Sequence, residues 1–162
     1  MPDDWNEIRL RGFRGKLHAE VIQGGRPGDL ISTTHALTFF SQRVVDVLEE
    51  HNFQKYEAFP VEVSGGKGDA PMYYGLTFLG KGGHILPEES RVKYGSTPRP
   101  DGSRGIVGMW RLMFDVNQWD GSDLFYVEEF PGLHLVTERV VKALKKAKIK
   151  NCEYTPTDRL GF

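Results

Sequence analysis

Five histidines, a single cysteine, two glycine-lysine stretches and several closely set carboxylates are the parts of this 162-residue chain whose types admit chemistry. His18, His35, His51, His84 and His134 fall neither in an H-E-x-x-H pattern nor beside cysteines, so no metal site is legible. His18 and Glu20 stand two residues apart and therefore share one face of an expected strand. With the loop around His84 they mark the place where a small enzyme or ligand-binding protein would build an acid/base pocket, although a surface pair is the simpler reading of His18 and Glu20. Residues 65–69 and 80–83 set lysine beside glycine without the G-x-x-x-x-G-K-[ST] spacing that lets backbone amides cradle phosphates, and each reads as a hairpin turn. Cys152 carries no nucleophile signature, and no serine lies in G-x-S-x-G. Neither a cofactor nor a metal is expected.

Binding chemistry is better represented than catalysis. Asp46, Glu49 and Glu50 project from one expected helix, and Trp119 is followed by Asp120 and Asp123 in an expected turn. An amphipathic aromatic ring beside carboxylates is the kind of group that anchors a protein interface, so these six residues are the candidate partner-binding set. The aromatic residues Phe53, Tyr56, Phe59, Tyr73, Tyr74, Phe78, Trp110, Phe114 and Phe125 sit in apolar stretches and are expected in the core, whereas Trp5, Phe13, Tyr94, Trp119 and Phe162 sit in polar ones.

Charge and size limit the alternatives. A formal net charge of -1 gives no electrostatic basis for a dedicated nucleic-acid or membrane binder. One cysteine excludes an intramolecular disulfide and fits a reducing compartment, and the N-terminal residues lack the apolar core of an export signal; a cytoplasmic location is expected. The length suits one domain, residues 1–162, with a core large enough to need no metal or disulfide.

The elements that must position these residues are organised around a repeat. Residues 41–63 (SQRVVDVLEEHNFQKYEAFPVEV) align without a gap with residues 137–159 (TERVVKALKKAKIKNCEYTPTDR), sharing Arg43/Arg139, Val44/Val140, Val45/Val141, Leu48/Leu144, Glu57/Glu153 and Pro60/Pro156. Identity at these positions, where chance supplies roughly one or two, suggests a duplicated helix-strand unit. Ser41 and Thr137 are expected N-caps, with Phe40 and Val45 forming a hydrophobic staple. Val44, Val47 and Leu48, and Val140, Ala143 and Leu144, follow helical spacing, so each copy buries one stripe. The outward faces differ in sign: acidic in the first copy, and basic in the second through Lys142, Lys145, Lys146, Lys148 and Lys150. Strands are expected at 5–10, 17–22, 56–63, 72–79, 124–127 and 151–155, with residues 106–116 as a central strand. Residues 84–105, rich in Pro, Gly and Ser, are expected to be irregular, and residues 128–132 to lead into the second helix. The fold class is therefore α+β, a largely antiparallel sheet with two principal helices.

The pairs Asp29-Leu30 and Asp123-Leu124, each followed by an apolar lead-in and then [ST]-[QE]-R-V-V-x-x-L, resemble the myxobacterial-type immunity proteins of bacterial polymorphic toxin systems. The strand MYYGLTFL and the following Pro87-Glu88-Glu89-Ser90 segment are similar to the central part of that family. The resemblance implies a protein that binds a cognate protein toxin so that the producing cell survives, and it carries over no catalytic residue. Asp46, Glu49, Glu50, Asp120 and Asp123, with Glu128 and Glu129, would then suit a toxin with a basic substrate cleft.

Overall fold

The computed structural model describes residues 17–20, 28–32, 37–65, 72–98 and 102–161. The expected strand at 5–10, most of the 65–69 loop, and Trp5, Phe13 and Phe162 lie outside them. The fold is α+β, and the described residues form three sheets. The largest contains β1 (Leu17–Glu20), β2 (Leu30–Ser32), β3 (Thr38–Ser41), β4 (Tyr56–Ser64) and β5 (Tyr73–Phe78) in the order β1-β4-β5-β3-β2. Only its β1-β4 pairing is parallel. A second sheet joins β6 (Gly80–Lys81), β9 (Leu124–Val127) and β10 (Phe130–Val136), and a third is the two-stranded ribbon of β7 (Lys93–Pro98) and β8 (Arg104–Gly108).

Helices α1 (Gln42–Glu50) and α3 (Glu138–Lys146) arise where the apolar stripes predict them. Val44, Val45, Val47 and Leu48 from α1 meet Val140, Ala143 and Leu144 from α3 in one core cluster, completed by Phe53, Leu76, Phe78 and Leu124. Burying each such Val, Leu or Phe side chain contributes about 1.5–3 kcal/mol, which makes this cluster the main source of stability for the helix pair. A short third helix, α2 (Pro87–Ser90), precedes the ribbon.

The two repeat segments agree in backbone detail well beyond the helices. In each, the chain leaves the helix through a left-handed residue, Asn52 at φ 54° and Lys148 at φ 54°. The amides of Asn52 and Phe53 donate to the carbonyls of Glu49 and Leu48, and those of Lys148 and Ile149 donate to Lys145 and Leu144. This paired closure satisfies the last carbonyls of a helix and brings Phe53 and Ile149 back onto the apolar stripe. A second left-handed residue follows at the same spacing, Lys55 at φ 68° and Asn151 at φ 59°. There the copies part. The first continues into β4, whose residues pair with β5. The expected strand at 151–155 does not form, and the chain instead runs irregularly to a 3-10 turn at Thr157–Arg159. Copy one has alternating Tyr56, Ala58 and apolar Phe59, Val61 and Val63 to lay against a neighbour, and copy two has Thr155, Thr157 and Arg159 at the later positions.

Other expectations need correction. Gly80 and Lys81 do not turn the chain; they pair in parallel with Phe125 and Tyr126 of β9. A Cβ at Gly80 would overlap Ser122 Oγ and the Leu124 carbonyl, so glycine there permits the close approach of two backbones. Residues 84–105 contain α2 and β7 rather than irregular chain, and the segment after Glu129 is the strand β10. Residues 106–116 are not a central strand. Only their beginning is extended, in the ribbon, and Trp110 is 75% exposed instead of buried. The apolar residues beyond the ribbon, Met109 and Leu112, do reach a second core cluster with Ile85, Phe125, Val127 and Leu135. They reach it from irregular backbone because Ser90, itself fully buried, supplies the hydrogen bonds a neighbouring strand would have given. Its hydroxyl donates to the Met113 carbonyl and accepts from the Met113 amide, both at 3.0 Å, and its carbonyl accepts from the amide of Trp110 at 3.1 Å. The remaining aromatic residues assigned to the core are buried or half-buried as expected, with Tyr73 fully buried.

Two stability measurements follow. Leu48→Ala and Leu144→Ala should each lower the unfolding free energy by about 2–5 kcal/mol in urea titration, since each leaves a cavity between the helices. Lys148→Gly should raise it by up to about 1 kcal/mol, because a left-handed residue with a Cβ is strained where glycine is not.

Candidate functional site

The sequence candidates fall into two structural roles, and the first is internal. Asp29 lies immediately before β2, and its carboxylate accepts from Ser41 Oγ at 2.9 Å and from Arg43 Nη1 at 3.0–3.1 Å. The backbone amide of Lys150, beyond the end of α3, donates to the same carboxylate at 2.8 Å. Arg43 Nη2 donates to the carbonyl of Ala147, the residue that closes α3, at 3.0 Å. Asp123 repeats the arrangement before β9. Its carboxylate accepts from Thr137 Oγ1 and from Arg139 Nη1, the latter at 2.7 Å. The Arg139 guanidinium lies 5.5 Å from the centre of the Phe53 ring, just beyond the end of α1. Each arginine thus starts in the first turn of one helix and reaches the closing end of the other.

These clamps correct the expected N-caps. Ser41 and Thr137 occupy the cap positions, but neither side chain bonds the first turn of its helix; both donate to the preceding aspartate. They also assign a use to Asp123, whose side chain is 16% exposed and is engaged by Thr137 and Arg139. The signal for the clamps was present in the sequence, since Asp-Leu precedes [ST]-x-Arg in both copies, but the separations of 12 and 14 residues conceal a side-chain contact.

The outward-facing candidates are Asp46, Glu49, Glu50, Trp119 and Asp120. Asp46, Glu49 and Glu50 are exposed on α1, with Asp46 accepting from Gln42 Nε2 at 2.8 Å. Asn52 and Lys55, just beyond α1, line an open cleft of about 330 Å³ together with Asp120 and Asp123, so the end of the acidic helix and the 120–123 turn adjoin. Trp119 packs its ring 5.7 Å from that of Phe125 and donates from Nε1 to the Ser122 carbonyl, leaving 36% of the residue exposed. Asp120 accepts from the amides of Lys81 and Ser122 and from Ser122 Oγ. Partial burial pushes its carboxyl up, but the hydrogen bonds from Ser122 and Lys81 outweigh it and hold the group below its ordinary value of 3.8. A carboxyl lowered in the folded state gives its full stabilisation above that ordinary value and loses it as pH falls through the lowered one, so this turn is firm at neutral pH.

The histidine candidates do not converge. His18 pairs with Glu62, directly across on β4, at 3.1 Å rather than with Glu20. His84 Nδ1 meets Glu129 at 3.1 Å and lines a cleft of about 190 Å³ that contains neither His18 nor Glu20. His51 Nδ1 lies 3.1 Å from the Val47 carbonyl, closing α1, and His134 Nε2 lies 3.3 Å from the Leu76 carbonyl while its ring packs against Phe40 and Phe78. Cys152 is half-buried. Among the described residues no group of three or more His, Cys, Asp or Glu side chains is placed to hold a metal ion, and no helix is long and apolar enough to cross a membrane.

The model of the Imm11 immunity protein family matches residues 6–159, nearly the whole chain, and the chain belongs to that family. No curated protein matches it.

Replacing the clamp aspartates should separate their strengths. Asp29→Ala should cost about 2–3 kcal/mol and Asp123→Ala about 1–2 kcal/mol by denaturant titration, since the Asp29 side chain is only 7% exposed and holds the additional Lys150 amide.

Proposed function

We propose that this protein binds a cognate bacterial toxin and neutralises it by occupying its surface, as a stoichiometric inhibitor and not as an enzyme. The observation that carries the reading is the family match over residues 6–159, which implies a toxin partner. The deployment of the reactive side chains supports the mechanism. Four of the five histidines are engaged with a carbonyl or a surface carboxylate: His18 with Glu62, His51 with Val47, His84 with Glu129 and His134 with Leu76. The cleft of about 190 Å³ beside His84 is smaller than the ~300–1,000 Å³ usual for a small-molecule site, and the cleft of about 330 Å³ at the 120–123 turn, at the low end of that range, is lined by no histidine or cysteine. Inhibition by contact needs neither a nucleophile nor a general base; it needs exposed anchors on a rigid frame.

The test is co-expression with the toxic C-terminal domain encoded by the adjacent reading frame. The wild-type chain should restore growth and co-purify with that domain at a ratio of one to one. Rescue at strongly substoichiometric levels, or chemical modification of the toxin after brief exposure, would show that the chain acts as an enzyme.

A further inference from the structure

The surface that differs most from the rest of the molecule is the β7-β8 ribbon with the bend that follows it. It is a sheet of its own, attached to the body through Val92 and Ile106, which pack on the second core cluster, and through the hydrogen bonds of Ser90 to residues 110–113. On it lie three of the large apolar residues most exposed among the described ones, Tyr94 at 47%, Val107 at 58% and Trp110 at 75%. A tryptophan left three-quarters in water adds nothing to the core, and keeping apolar surface hydrated is unfavourable relative to covering it. Trp110 is nevertheless held in place, since its amide donates to Ser90 and the neighbouring Arg111 Nε donates to the Glu89 carbonyl at 2.8 Å. An exposed ring on a fixed backbone is a preorganised anchor.

The ribbon also has its own charge. Its described residues, 91–98 and 102–111, contain Arg91, Lys93, Arg104 and Arg111 and no acid, a local charge of +4 in a chain whose total is -1. Arg91, Lys93, Arg104 and Arg111 are all exposed. Tryptophan, tyrosine and arginine together are the residue types that dominate binding energy at protein interfaces, and the cationic border selects a partner of opposite sign.

We propose that the ribbon, with Trp110 as its central anchor, is the principal docking surface, and that its occupant is an acidic face of the toxin bearing an apolar pocket for the indole. The assignment rests on the immunity reading above. It places the main contact away from the acidic face of α1 and the 120–123 turn. A nucleic acid would also be drawn to the positive charge, but three exposed apolar side chains beside it, and a chain that is net negative, favour a protein surface.

The experiment measures binding of purified chain to the catalytically inactivated toxin domain by calorimetry, and protection in co-expression, for three variants. Trp110→Ala and the double variant Lys93→Glu, Arg104→Glu alter the ribbon at exposed positions; the triple variant Asp46→Lys, Glu49→Lys, Glu50→Lys alters the acidic face of α1. Thermal melts confirm that each is folded. Trp110→Ala should weaken binding by about 30-fold or more, the ribbon reversal should slow association and remove most of its salt dependence, and the α1 reversal should change affinity less than threefold. Unchanged affinity in both ribbon variants, with wild-type binding intact, overturns the ribbon assignment and leaves the immunity reading standing. A mixed-sequence DNA duplex bound by the wild type and released by the ribbon reversal, while toxin affinity holds, overturns it in favour of nucleic acid. A wild-type chain that neither binds nor protects removes the immunity reading, and the ribbon's role with it.

Discussion

The fold depends on a carboxylate that has been taken almost out of water. The Asp29 side chain would be costly where it sits, but it accepts from Ser41, from Arg43 and from the Lys150 amide, so its lone pairs are satisfied from three parts of the chain. Those three parts are the start of α1, its first turn and the segment that follows α3. One acid therefore fixes the helices relative to each other and to the paired strands β2 and β3, while Asp123 ties the start of α3 to the start of β9 with fewer bonds. The Tyr73 phenol belongs to the same arrangement: burial and then the charge of Asp29 push it up, keeping it a neutral donor to the Gly28 carbonyl at 2.5 Å.

Placing the arginines at helix starts appears unfavourable if only the helix dipole is considered, since cations belong at the other end. The packing resolves this. The helices run so that each start lies near the other's finish, and Arg43 delivers its charge to the carbonyl of Ala147 at the closing end of α3 while Arg139 covers Phe53 beyond α1. Arg43 thus adds charge complementarity across the pair to that already present within α3, whose first turn carries Glu138 and whose last turn carries Lys145 and Lys146.

How much of this could be read in the sequence depends on whether the determining contacts were local. The helices, their apolar stripes and the strands β4, β5 and β9 declared themselves through periodicity, because burial on one face imposes it. The family resemblance was likewise legible, in the recurring Asp-Leu and [ST]-x-Arg pairs. The clamps those residues build were not, because nothing in the spacing tells an aspartate that will meet a helix start from one that will face solvent. The same gap hid the parallel strand at Gly80 and Lys81, which exists only because Leu124 comes close, and the irregular path of residues 109–113, whose hydrogen bonds are met by the buried Ser90. The apolar neighbours of Trp110 argue for a place in the core, and Met109 and Leu112 are indeed there; the backbone bends between them and leaves Trp110 outside.

That bend has a further result for how such a protein can change over time. Val92 and Ile106 hold the base of the ribbon, while its exposed Tyr94 and Val107 belong to neither of these core clusters. Replacements at exposed positions of this kind generally alter stability by less than about 0.5 kcal/mol. The exposed positions of this arm can therefore be replaced at little cost to the fold, a freedom that the buried residues of the helix pair do not have.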